Sequence, residues 1–255
     1  SLLSKLTVKR YRGESISVDY VLRGLVALLG PLFGAFIIAT YGFQVLFLLV
    51  CVLLLFSLIP LRKIQFPKQR NHFSFYNPLT TFDIISLFGN CVLNCLESII
   101  WPLFIYVSLK DYLDLGWIIS LALLFNSFFT FLVGKWSDHH KKRIFVKYGT
   151  FAITLFFILR IFVDSFYAFI VATIVSFLLT TLVDVPYYNL ILNKVTKSHK
   201  SIHFLMWREV FLAFSKFIYM GVFYILFLSF GIFSLKLMII IGALAGLLQL
   251  YILKN

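Results

Sequence analysis

The chain has 255 residues, of which 61% are hydrophobic and 13% charged, with a formal net charge of +13. A water-soluble domain is roughly 45–50% apolar and about 25% charged, so this composition excludes water as the main solvent of the fold. Whether the positive charge marks a nucleic-acid partner depends on where the basic residues fall along the chain.

A basic segment, 1–20, precedes the first apolar run, which extends from Val21 to Ala39. About 20 apolar residues carry a helix across the hydrocarbon of a bilayer, so this run predicts a membrane span rather than a short cleavable leader. The Thr40-Tyr41-Gly42 turn leads into a second span, from Phe43 to Pro60. A polar, basic stretch over 61–82 then separates this pair from six further runs, beginning near Ile84, Leu115, Phe145, Phe166, Leu205 and Leu235. These six form one unit over 83–255. The runs are long and continuous, whereas a membrane strand needs only about ten residues with in–out alternation. The expected fold is therefore an all-α membrane protein with eight transmembrane helices.

Eight spans force the connections to alternate sides, and the basic residues test that count. Lys5, Lys9, Arg10, Arg12 and Arg23 precede or open the first span; Arg62, Lys63, Lys68 and Arg70 follow the second. Lys135, Lys141, Lys142, Arg143 and Lys147 follow the fourth, Lys194, Lys197, Lys200 and Arg208 the sixth, and Lys254 closes the tail. Nineteen of the 23 Lys and Arg residues thus fall on one side, with Lys110, Arg160 and Lys236 opposite and Lys216 inside a span. Both termini are predicted cytoplasmic, and topology accounts for the charge without nucleic acid.

Charge inside hydrocarbon costs about 2.5–3.5 kcal/mol on insertion scales, so each such residue is a candidate for function. Glu97 and Lys216 stand near mid-depth, and Asn90, Asn94 and Glu97 share one helix face by their spacing of four and three. This polar face is expected to look into a cavity, with Glu97 as a coupling or substrate carboxylate and Lys216 as its countercharge; a pair that only fixes packing is the plainer alternative. Asp184, Pro186 and Tyr187 form a second candidate group, in which Pro186 bends the helix and the tyrosine hydroxyl meets substrate. Arg160 is expected to snorkel or to pair with Asp164. Cys51, Cys91 and Cys95 lie in apolar stretches without metal-ligand spacing and are expected to be small buried hydrophobes. Among the five histidines only His199 and His203 have a helical metal spacing, and no carboxylate follows them, so no metal or cofactor is expected.

The connection after the fourth span reads GKWSDHHKKR, from Gly134 to Arg143. It resembles the loop signature of the major facilitator superfamily in Gly134, Asp138, Lys142 and Arg143; Lys141 stands where the family usually has a second glycine. Gly30-Pro31-Leu32-Phe33-Gly34-Ala35 resembles the family's fifth-span pattern of Gly-Pro followed by small residues, in which Gly30 and Gly34 would let helices approach closely and Pro31 would bend the span. The resemblance covers nearly the whole chain and implies the last two helices of an N-terminal bundle, the central loop and a complete C-terminal six-helix bundle, with four helices preceding Ser1. It further implies alternating-access transport of a small solute by a secondary, ion- or proton-coupled carrier in a plasma or inner membrane. A membrane enzyme acting on lipid, or a fragment that serves as a scaffold, are the rival readings.

Overall fold

Continuous apolar sequence in a bilayer has one economical backbone solution, because a helix bonds every N–H and C=O within its own segment. The computed structural model describes residues 12–61, 79–139, 142–197 and 201–254, and they are helical almost throughout. The elements are α1 (Arg12–Leu61), α2 (Thr81–Cys95), a single π turn (Leu96–Ile100), α3 (Trp101–Leu109), α4 (Tyr112–His139), α5 (Lys142–Leu159), α6 (Phe166–Lys197), α7 (Ser201–Phe230) and α8 (Phe233–Gly246). The tail of α8 tightens into a 3₁₀ turn, Leu247–Lys254, and Arg160–Phe162 does the same after α5. α2, the π turn and α3 form one continuous rod. Among the described residues, seven helices are long and apolar enough to cross a membrane.

α1 holds two of the predicted spans in one helical run. Gly42 interrupts it with φ 81° and ψ 173°, outside helical space, and glycine alone takes such a φ without a steric cost. The predicted Thr40-Tyr41-Gly42 turn is thus a break at a single residue. Pro31 and Pro60 sit inside α1, and Pro186 inside α6, without ending either helix. The central basic stretch lies outside the described residues over 62–78, as does residue 1–11 of the N-terminal segment.

The ends of the rods are set by local chemistry. Thr80 caps α2: its hydroxyl accepts from the Asp83 N–H at 3.2 Å, and Asp83 Oδ2 accepts from the Thr80 N–H at 3.1 Å. Asp83 also binds Lys194 at 2.5 Å, tying the start of α2 to the end of α6. Lys110, in the left-handed region at φ 57°, stops α3, and the Asp111 carboxylate receives the Leu113 N–H at 2.7 Å to start α4.

In the bundle, α2 packs against α7 and α8, α5 against α6 and α8, and α4 against α6, while α1 lies along the outer side of α4. Gly116 makes the last contact possible, since a Cβ there would stand 2.6 Å from the Ala35 methyl and 3.1 Å from the Pro31 carbonyl. Gly30 and Gly34, by contrast, have nothing within 4 Å. Of the small-residue pattern, then, Ala35 makes the close approach and the two glycines face outward. Side chains such as Phe47, Leu55, Phe128 and Phe217 are more than half exposed, as lipid-facing residues are.

Two apolar clusters make the interior. The larger gathers Leu96, Ile100, Trp101, Phe157, Phe169 and Met238, and the smaller gathers Leu87, Val146, Tyr187, Ile191 and Ile252. Between them runs a polar seam. Gln249 Nε2 donates to Thr150 Oγ1 at 2.6 Å, Ser86 Oγ donates to the Gln249 carbonyl at 3.0 Å, and the Asn90 amide reaches Gln249 Oε1 at 3.5 Å. Gly89 lets α2 pass against the backbone of Leu248 and Gln249. Gly89→Ala should therefore destabilise the bundle by about 1–3 kcal/mol through overpacking, while Gly34→Ala should change little. Thermal unfolding of the two variants in one detergent checks the contrast.

Candidate functional site

The π turn is where the rod departs from α geometry, and it precedes Pro102, which has no N–H to bond one turn back. Widening the turn accommodates that missing donor; such turns occur often at functional sites. It carries Glu97, which is 6% exposed.

Glu97 does not meet Lys216. Its Oε2 accepts from Arg160 Nη1 at 2.7 Å, and its Oε1 accepts from the Ser176 hydroxyl. Arg160, expected at the surface or beside Asp164, is 1% exposed. It reaches inward because the 3₁₀ turn closing α5 aims it at the rod, where its guanidinium carbon lies 3.5 Å from the centre of the Trp101 ring. A desolvated stack of this kind contributes about 2 kcal/mol. Phe157 covers the guanidinium from another side at 5.1 Å. The stack matters because Arg160 Nε and Nη2 have no hydrogen-bond partner among the described residues. Trp101 is itself fixed: its indole N–H donates to Thr173 Oγ1 at 2.9 Å.

A cavity of about 340 Å³ lies between the rod, α4 and α6, within the range of small-molecule sites. Asn94, Glu97, Ser98 and Trp101 line it from the rod, Leu123 and Asn126 from α4, and Thr173, Phe177, Thr180 and Asp184 from α6. Asp184 accepts from the Asn90 amide at 3.0 Å, which links the cavity to the polar seam. Asn126 Oδ1 accepts from the Thr181 hydroxyl at 2.5 Å. Asn94 donates to the Asn90 carbonyl at 2.9 Å.

The predicted polar face is divided accordingly. Asn94 and Glu97 border the cavity, while Asn90, 2% exposed, lies beneath it in the seam. Tyr187 is fully buried, its hydroxyl 2.9 Å from Ser86 Oγ, so it braces α2 against α6 and does not reach the cavity; Tyr188 is the exposed neighbour. Lys216 is exposed on α7 and forms no ion pair among the described residues. Cys91 and Cys95 are buried and Cys51 is exposed to the lipid side; all three are free thiols.

Gly134 to His139 continue α4, and Lys142 and Arg143 open α5, so the resembling motif occupies two helix ends rather than an extended loop. The Asp138 and Lys142 side chains lie outside the described residues, and Arg143 is exposed. His72, His140 and His199 also lie outside them.

Arg160 was placed wrongly by sequence reasoning, as were Lys216 and Tyr187, and Gln249, Asn126, Ser176 and Thr180 were passed over; Arg160 and Gln249 could have been found. Each stands alone in an apolar run, and a lone polar group in oil seeks a partner across helices. Comparison with family models finds no match for this chain, and comparison with curated proteins finds none. The described residues define an integral membrane protein built of long apolar helices, with a polar cavity at mid-depth.

Arg160→Leu should leave Glu97 as an unpaired buried charge and cost about 3–5 kcal/mol. Adding Glu97→Leu to that variant should recover much of the loss. Unfolding of the single and double variants in detergent reads the recovery; additive losses would mean the two side chains are not coupled.

Proposed function

We propose that the chain is a membrane transporter that moves a small solute by alternating access, in the manner of the major facilitator superfamily. The observation that carries this reading is the cavity between the rod, α4 and α6: a space of mixed apolar and polar lining, bordered by two carboxylates, set among membrane-length helices. Polar and ionisable groups at that depth are expensive unless they serve a solute route.

Three further features support it. Counting α1 as two spans divided at Gly42 would bring the total to eight, in keeping with the alternation of basic segments, and on this reading both termini lie in the cytoplasm of a plasma or inner membrane. α1 packs along α4 and not within the six-helix group, as two helices of another bundle would. The open side at Gly30 and Gly34 leaves room for helices of a second half, which the reading requires.

The family resemblance gives the Gly134–Arg143 segment a gating role. α1 runs antiparallel to α4, with Phe43 against Tyr112 and Ala35 against Gly116, so the beginning of α1 lies toward the end of α4 that carries Asp138. In the proposed mechanism the Asp138 end of α4 meets the positive terminus of α1, and this contact holds the cytoplasmic side closed. Asp138→Asn should then increase labelling of a reporter introduced as Tyr188→Cys by a membrane-impermeant thiol reagent from the cytoplasmic side, with Cys51, Cys91 and Cys95 replaced. Unchanged labelling would count against the gate. For transport itself, solute uptake by proteoliposomes containing the purified protein is the deciding measurement.

A further inference from the structure

We propose that the cavity receives a positively charged group of its solute, a protonated amine, at the carboxylate of Asp184. The proposal rests on the transport reading above and adds the chemical class of what is carried.

Two carboxylates border the cavity, and they differ in their partners. Both oxygens of Glu97 are engaged, one by Arg160 and one by Ser176. Asp184 has a single neutral donor, the Asn90 amide at 3.0 Å, and its second oxygen accepts no hydrogen bond among the described residues. The ion pairs among those residues are Arg160–Glu97, Lys194–Asp83 and Arg208–Glu209; Asp184 belongs to none. An ionised carboxylate away from water calls for a countercharge. The bundle offers none here: Arg160 is stacked on Trp101 behind Glu97, and α7, which carries Arg208 and Lys216, contributes nothing to the cavity wall.

The neighbouring wall suits an ammonium group in particular. Thr180 lies one helical turn from Asp184 on the same face of α6, and its hydroxyl has no hydrogen-bond partner among the described residues. Asn94, one of whose amide hydrogens is donated to the Asn90 carbonyl, borders the cavity as well. The polar groups of this wall are thus Asp184, Thr180 and Asn94, and a primary ammonium has three N–H donors to share among them. Phe177, two turns from Asp184 on the same helix, supplies an aromatic surface for the apolar body of the solute and a secondary attraction for its charge.

Three probes of one shape separate charge from size: benzylammonium, benzyl alcohol and benzoate. Binding of radiolabelled benzylammonium is measured on the purified protein in lipid nanodiscs, with the other two as unlabelled competitors. We expect saturable benzylammonium binding that neither competitor displaces. Asp184→Asn should weaken it by about tenfold or more, as removal of one partner from a desolvated charge pair does, and Asp184→Glu should retain most of it. If Asp184→Asn lowers the melting temperature so far that it is not folded, Thr180→Val takes its place and should weaken binding severalfold. Absence of saturable amine binding, displacement by benzoate as effective as by the amine itself, or full affinity in whichever of these two variants is folded would overturn the proposal. The two readings fail separately. Asp184-dependent amine binding without uptake into proteoliposomes would refute transport and keep the site; uptake of a neutral or anionic solute that ignores Asp184→Asn would keep transport and refute the site.

Discussion

A carboxylate and a guanidinium are buried together in the interior of this bundle, and the surrounding elements are arranged around keeping them together. The π turn brings Glu97 inward, and the 3₁₀ turn after α5 brings Arg160 to meet it. Ser176 closes the remaining carboxylate oxygen from α6, and Trp101 covers the guanidinium face left without hydrogen bonds. Removing one partner from such a pair leaves a buried charge unopposed, which is far worse than removing both. Three helices are held in one arrangement by that asymmetry.

The same constraint sorts the cavity wall into what is structural and what is free. Glu97 borders the cavity but is committed to the bundle, whereas Asp184 is held by one amide. The ion-paired carboxylate lies on the rod and the one without an ion pair among the described residues on α6, while Trp101, Phe177 and Leu123 supply apolar wall to the same cavity.

Much of the fold could be read directly from the chain. Apolar run length depends on the bilayer alone, a solvent with fixed thickness and polarity, so it predicted long helices, with starts near Ile84, Leu115 and Leu235 that the structure moves by a few residues. Glu97 and Asn94 were recognisable as cavity residues because the cost of burying them is independent of their neighbours. Partners were not recognisable. Lys216 looked like the countercharge for Glu97 because both stood near mid-depth, but depth says nothing of which face of α7 carries a side chain; Lys216 is exposed, and Arg160 and Ser176 take both oxygens of Glu97. Arg160 was assigned to the membrane surface from its position near a span end, although the 3₁₀ turn redirects it. Tyr187 shares a segment and nearly a face with Asp184, yet its hydroxyl is held by Ser86 in the seam while Asp184 borders the cavity, a difference that only contacts across helices reveal. The Gly30 and Gly34 pattern suggested close packing; only contacts across helices reveal that Ala35 makes it.

The polar seam between the two apolar clusters also acts as a vertical ruler for the helices it joins. Apolar ridges alone would let one helix slide past another by a turn with modest loss, since one leucine fits a groove nearly as well as the next. Ser86 and Asn90 on α2, Thr150 on α5, Asp184 and Tyr187 on α6 and Gln249 after α8 allow no such slip, because a displacement of about 5.4 Å, one helical pitch, would strand each hydrogen-bonding group opposite hydrocarbon. A single asparagine sets the stagger of coiled coils on the same principle. Here the mark is spread over four helices, and it fixes the height in the bilayer at which all of them agree.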